Sequence, residues 1–204
     1  LNEQNQFSVM NYNVRLFNLY SWIDDHNIEV DIMKFIESQA PDVISFQEYH
    51  PHLNVDLSFY KFKYEKLSGN RVKYGQAIFS KYPMIARGDV MFETQGVKDF
   101  NYCIFADIVK GTDTFRVYNV HLQSIRLHTD PHIEGEEVQT YGSKKGAIAV
   151  YRKLRGAFEK RASQARRVVE HLQTSPYPVV VCGDFNDTPM SYTYNQFQLR
   201  LLDA

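Results

Sequence analysis

VVVCGDFNDTP, from Val179 to Pro189, is the stretch on which the reading of this chain turns. Pro178 to Cys182 is a continuous apolar, β-branched run, which predicts a strand buried on both faces. Gly183 ends it with a residue that can turn sharply and let backbone approach a ligand. Asp184, Asn186 and Asp187 then arrive together, and Pro189 blocks any regular continuation. A buried strand that delivers carboxylates and an amide at its end builds a metal or phosphate site. The same residues also build ordinary Asx-rich turns, so this stretch alone leaves both readings open.

Outward from it, other segments share its form. Phe7 to Tyr12 alternates apolar and polar as a strand and runs into Asn13. Asp42 to Phe46 is a short apolar strand followed by Gln47 and Glu48. Thr114 to Val120 is a strand that meets His121. Phe59 to Leu67, Gln76 to Phe79, Met84 to Phe92 and Tyr102 to Val109 are further strand candidates, punctuated by Pro83, Gly96 and Gly111. Val30 to Ala40 carries a helical stripe ended by Pro41. Lys144 to Gln173 is a long helix, with Ile148, Tyr151, Leu154, Phe158, Ala162, Ala165, Val169 and Leu172 marking its apolar face. Its opposite face is basic, from Lys144 to Arg167 and including Arg161, and reads as a solvated outer surface. Ser124 to Ser143 is polar and aperiodic, a long loop that follows His121 and is placed to touch substrate.

Many strands with few helices and no strict alternation predict a mixed-sheet α/β domain. A length of 204 residues fits a single domain, 1–204, with a sizeable core. Hydrophobic residues at 44% and aromatics at 14% are globular values. The net charge of −1 supplies no global positive field for non-specific nucleic-acid binding. Cys103 and Cys182 lie in apolar runs and read as small buried thiols. No apolar run reaches the length of a membrane span. The chain opens on Leu1 rather than Met, which marks it as a processed or excised piece; a signal or membrane tether would lie outside it.

Four strands thus end in residues able to bind a metal or a phosphate: Asn13, Glu48, His121 and Asp184. Neighbouring strands lie about 4.8 Å apart, so such ends can converge at one sheet edge. Carboxylates with amide oxygens suit Mg²⁺, or Mn²⁺, rather than zinc, for which neither a cysteine pair nor an HExxH spacing exists. With an imidazole beside it, such a site suits phosphate-ester chemistry.

Five segments in order then carry a specific resemblance: MNYNVR (Met10 to Arg15), PDVISFQE (Pro41 to Glu48), YGQAIFSKYP (Tyr74 to Pro83), VYNVHLQS (Val117 to Ser124) and CGDFNDTP (Cys182 to Pro189). The chain resembles the endonuclease/exonuclease/phosphatase superfamily of metal-dependent phosphoesterases. The resemblance implies a four-layer α/β/β/α sandwich of two mixed sheets with the site at one end. It implies Glu48 as the metal-binding glutamate, and Asn13 as an asparagine supporting metal and phosphate. Asp184 corresponds to the aspartate that orients or deprotonates the attacking water. Asn186 corresponds to the amide that holds the phosphate and that aspartate, and His121 to the histidine that donates to the scissile phosphate. Asp187 and Gln123 are candidates for supporting positions. The substrate implied is a phosphate ester, either nucleic acid or a small phosphoester.

One departure stands against this. The family closes with an aspartate-bearing strand and a Ser-Asp-His segment, neither of which precedes Ala204; Asp25-His26, the one Asp-His pair, lies near the other end. The expectation is a C-terminally truncated piece with weak or no turnover and an exposed sheet edge open to self-association. A non-catalytic interaction domain that keeps the fold is the rival reading.

Overall fold

The structure is a computed structural model that describes residues 6–52, 54–92, 101–125 and 144–202. Most of the expected loop Ser124 to Ser143, with its histidines and glutamates, lies outside the described residues, as does Gly96. The chain groups into two compact units. The first comprises Leu1–His121 and His171–Asp184, the second Leu122–Glu170 and Phe185–Ala204. No helix among the described residues is long and apolar enough to cross a membrane.

The described residues of the first unit form eight strands in two four-stranded mixed sheets, as an α/β sandwich requires. One sheet runs β1 (Val9–Asn13), β2 (Val43–Tyr49), β4 (Tyr74–Ser80), β3 (Phe62–Ser68). The other runs β5 (Met84–Met91), β6 (Tyr102–Lys110), β7 (Asp113–His121), β8 (Val179–Asp184). In each sheet one terminal pair is parallel, β1 with β2 and β7 with β8, and the remaining pairs are antiparallel.

The period of two along each strand sorts side chains between the faces. Val43, Ile78, Ile104, Ala106 and Val117 pack together as the core between the sheets. On the other face of β2, Ile44 and Phe46 meet Ile32, Met33 and Ile36 of α1 (Ile28–Gln39). That helix ends at Ala40 in the left-handed region, and Pro41 follows. Asp25-His26 precedes it, and the Asp25 carboxylate accepts the Asn27 N–H in a local turn.

Three expectations are corrected. β8 is half-buried along its whole length, not buried on both faces, because among the described residues it closes the sheet order and has a strand partner on one side only. Along the long helix α2 (Lys144–Leu172) the expected apolar face is buried at Ala165, Val169 and Leu172 but turns outward at its large residues nearer the N-terminus. Ile148, Tyr151 and Phe158 are 52%, 63% and 49% exposed, whereas Ala157, Arg161, Gln164, Val168 and Leu172 are buried at three- and four-residue spacing. Arg161, assigned to the solvated basic face, is the largest fully buried side chain of the chain's described residues. Finally, a short helix α3 (Tyr192–Gln198) appears where none is expected, capped by Ser191, whose hydroxyl accepts the Tyr194 N–H at 3.1 Å.

Both cysteines are free thiols. Burial pushes the Cys103 thiol well above its usual range and that of Cys182 up to about 11, which removes both from nucleophilic chemistry at neutral pH.

Candidate active site

The parallel pairs decide where the chemistry gathers. Asn13 ends β1 and pairs in register with Gln47, the neighbour of Glu48; His121 ends β7 and pairs with Asp184 at the end of β8. Val9, Val180, Cys182 and Val117 lie in the core between the sheets. Asn13, Asp184 and His121 fall in phase with them and continue the inward-facing rows.

Glu48 is out of phase. With Val43 facing the other sheet, simple alternation would place Glu48 on the α1 side. The β2–β4 register shifts between Phe46 and Tyr49, and Glu48 itself takes φ +50°. A left-handed non-glycine residue at a bulge costs about 1–3 kcal/mol, held here by surrounding packing. The Tyr49 ring stacks on Phe46 at 5.6 Å and meets Phe17 and Phe79 edge-on. The bulge thereby re-aims one carboxylate into the site.

Asn13 ties the cluster together. Its Nδ2 donates to Glu48 Oε1 at 3.2 Å and to Asp184 Oδ2 at 2.9 Å, bridging the two sheets. Its Oδ1 accepts the Arg15 N–H at 3.1 Å, which fixes the orientation of the amide. In this orientation Asn13 turns a donor, not a ligand oxygen, toward the carboxylates. The first unit therefore brings Asn13, Glu48 and Asp184 into one hydrogen-bonded group, with His121 beside Asp184 in the strand register.

Beneath it lies a polar network that escapes a reading of sequence. Gln47 Nε2 donates to Asn11 Oδ1 at 2.8 Å and to Asn119 Oδ1 at 2.6 Å, and Asn119 Nδ2 donates to the Phe46 carbonyl at 2.7 Å. Asn11 Nδ2 reaches the Gly183 carbonyl at 3.3 Å. Gln47 and Asn119 are fully buried, so these bonds replace water and pin one sheet's end to the other's. Gly183 has φ +150°, and a Cβ there would lie 2.0 Å from the Val120 carbonyl oxygen, so only glycine fits.

The remaining candidates fall in the second unit. Asn186, at φ +51°, donates from Nδ2 to the Leu122 carbonyl at 2.9 Å. Asp187 accepts from buried Arg161 Nε at 3.0 Å, while Arg161 Nη1 donates to the Gln123 carbonyl at 3.0 Å. Gln164 Oε1 accepts the Gln123 N–H at 2.9 Å. One guanidinium on α2 therefore ties the segment that follows β7 to the segment that follows β8. Asp187 and Gln123 act as its anchors.

Two mixed sheets, with amides, carboxylates and an imidazole at the C-terminal ends of their parallel pairs, define an α/β sandwich with an acidic, oxygen-rich site. The sequence places it further: residues 10–204 match the endonuclease/exonuclease/phosphatase family, and the chain belongs to that family of phosphoester hydrolases. No curated protein matches the sequence significantly. Among solved structures, the fold is similar to sphingomyelinase C from Streptomyces griseocarneus, at 19% identity and TM-score 0.64, covering 95% of this chain and 68% of that one. It is similar to the human nocturnin catalytic domain, solved with bound sulfate, at 16% identity and TM-score 0.65, covering 95% and 69%. It is also similar to an endonuclease/exonuclease/phosphatase from Beutenbergia cavernae DSM 12333, at 20% identity and TM-score 0.60, covering 92% of this chain and 50% of that one. At these identities the likeness is one of fold.

Proposed function

We propose that the chain hydrolyses a phosphate ester by in-line attack of water, with a Mg²⁺ ion bound at Glu48. The observation that carries this reading is the shared Asn13 amide, which holds the Glu48 and Asp184 carboxylates on one donor. Among the described residues no group of three or more His, Cys, Asp or Glu side chains gathers as a metal cage. Two converging carboxylates nevertheless fit Mg²⁺, which keeps several waters and binds through one or two carboxylates plus substrate phosphate. Mn²⁺ suits the same oxygen donors. When bound, the ion supplies positive charge against the charge developing on the phosphoryl oxygens.

The residues supply the rest. Asp184 orients the attacking water and takes its proton as the bond to phosphorus forms; the ester oxygen leaves on the opposite side. His121, beside Asp184 in the register, donates to a non-bridging phosphate oxygen. Asn13 keeps the two carboxylates in place with both of its amide hydrogens and so supports the metal and the phosphate through them. Asn186 keeps the phosphate-holding role that its place in the family motif implies. The substrate is a phosphodiester or phosphomonoester.

The test is turnover of bis(p-nitrophenyl) phosphate in Mg²⁺ by the full-length protein and by its Asp184→Asn variant. A positioned general base contributes 10²–10⁴-fold, so the variant should fall by roughly that factor. Unchanged turnover would remove Asp184 from the mechanism. A folded chain with neither turnover nor Mg²⁺ binding would instead be a non-catalytic interaction domain.

A further inference from the structure

Directly after Asn13 the chain makes a turn that a plain connection to α1 would not need. Arg15, Leu16, Phe17 and Asn18 all have positive φ, at 41°, 55°, 52° and 62°, without a glycine among them. Strain of this kind persists only where surrounding structure over-determines it, and it clusters at ligand clamps. Here Leu16 and Phe17 are buried, and Asn18 is a hub. The Asn18 amide donates to the Ile23 and Asp25 carbonyls at 2.8 and 3.2 Å and accepts the Ile23 N–H at 3.0 Å. The loop is therefore built to one shape before any ligand arrives.

That shape displays a basic-aromatic group. The exposed Arg15 guanidinium lies 4.5 Å from the centroid of the Trp22 ring, and Tyr20 meets the same indole edge-on at 5.2 Å. A guanidinium set over an indole ring keeps N–H donors for a planar or tetrahedral oxyanion. The Arg15 backbone N–H also holds Asn13, the residue that bridges the two carboxylates. The cation is thus rooted two residues from the proposed phosphate site.

We propose that Arg15, seated on Trp22, binds a second phosphate of the substrate, one other than the phosphate being cleaved. This rests on the phosphoester-hydrolase reading and narrows it to substrates carrying at least two phosphates, such as an oligonucleotide or a phosphorylated polyol. It disfavours a phosphocholine ester: the indole face that would receive a quaternary ammonium is taken by a guanidinium, and like charges repel.

Trp22 is the chain's one tryptophan, so its fluorescence reports on this group alone. The experiment titrates the full chain, without divalent metal, with a 5′-phosphorylated dinucleotide, an inositol bisphosphate, p-nitrophenyl phosphate and phosphocholine. At least one two-phosphate ligand should shift Trp22 emission at lower concentration than either single-phosphate ligand. Arg15→Met should weaken that ligand about tenfold, the scale of one charge-assisted hydrogen bond, and p-nitrophenyl phosphate several-fold less. Arg15→Lys, which keeps the charge and loses the planar guanidinium, should fall between. Equal losses for one- and two-phosphate ligands, no loss for either, or phosphocholine as the tightest ligand would overturn the proposal. Arg15-dependent binding without diester turnover in Mg²⁺ would remove the hydrolase reading and leave this site standing. Turnover without Arg15-dependent binding would do the reverse.

Discussion

The first unit holds carboxylates in two ways. Midway along the β6–β7 ladder, Asp107 is gripped by Arg116 through two bonds, at 2.5 and 2.8 Å, in a nearly buried pair. The guanidinium lies 4.3 Å from the Phe105 ring centroid, and the pairing pushes the arginine's pKa up. At the strand ends, by contrast, Glu48 and Asp184 are held through the neutral amide of Asn13. A cation bound in two places discharges its carboxylate and closes the site. An amide orients two carboxylates and leaves their negative charge to act on a cation or a water. The first arrangement serves the fold, and the second is the one proposed to carry the chemistry.

Substitutions should separate the two. Asp184→Asn is expected to lower turnover by roughly 10²–10⁴-fold while thermal stability stays level or rises, because a like charge leaves the cluster. Thermal melting beside the rate assay checks both halves. Asp107→Ala is expected to do the opposite. Removing one partner of a buried pair costs about 3–5 kcal/mol, read by urea unfolding, with turnover per folded molecule intact. If the effects were exchanged, the division of roles would be wrong. Asn13→Ala is a middle case: groups that orient ligands typically cost 10–100-fold when lost, so Mg²⁺ affinity and turnover should fall together by about that factor.

The smallest effect concerns pH. His171, at the end of α2, shares a 2.9 Å hydrogen bond with the Tyr118 hydroxyl and lies 5.0 Å from the Phe105 ring. Burial, then the charge of Arg116, lowers its pKa below the usual 6.5. The folded chain favours neutral imidazole, so the unfolded state takes up its proton first. The resulting stability is present above pH 6.5 and is lost as pH falls through the folded value. His171→Phe should flatten that slope of melting temperature against pH, and an unchanged slope would remove His171 as its source.

Much of the sandwich could be read from period-two strands and their ends, because sheet alternation and strand-terminal polar residues leave local marks. Asn13, Glu48, His121 and Asp184 each follow an apolar run, and the structure sets all four at strand ends, with Glu48 one residue before the end of β2. What stayed hidden depends on contacts far apart in sequence. The buried face of α2 is set by small residues and by Arg161 finding Asp187, so of the expected apolar face Ala165, Val169 and Leu172 are buried while Tyr151 and Phe158 face outward. Gln47, expected just past its strand, and Asn119, inside Thr114 to Val120 with nothing local to mark it, are each other's partners across the two sheets. The left-handed run from Arg15 to Asn18 has no glycine to announce it. Its cause lies in Asn18's bonds to residues further along the loop.

The most direct test of the amide-bridged cluster is Mg²⁺ titration calorimetry on the wild-type chain and on Glu48→Gln. The expected result is Mg²⁺ binding by the wild type that weakens at least tenfold, or disappears, in the variant. Binding of equal strength in both would contradict the assignment of Glu48 and, with it, the reading of the strand ends as a metal-assisted active site.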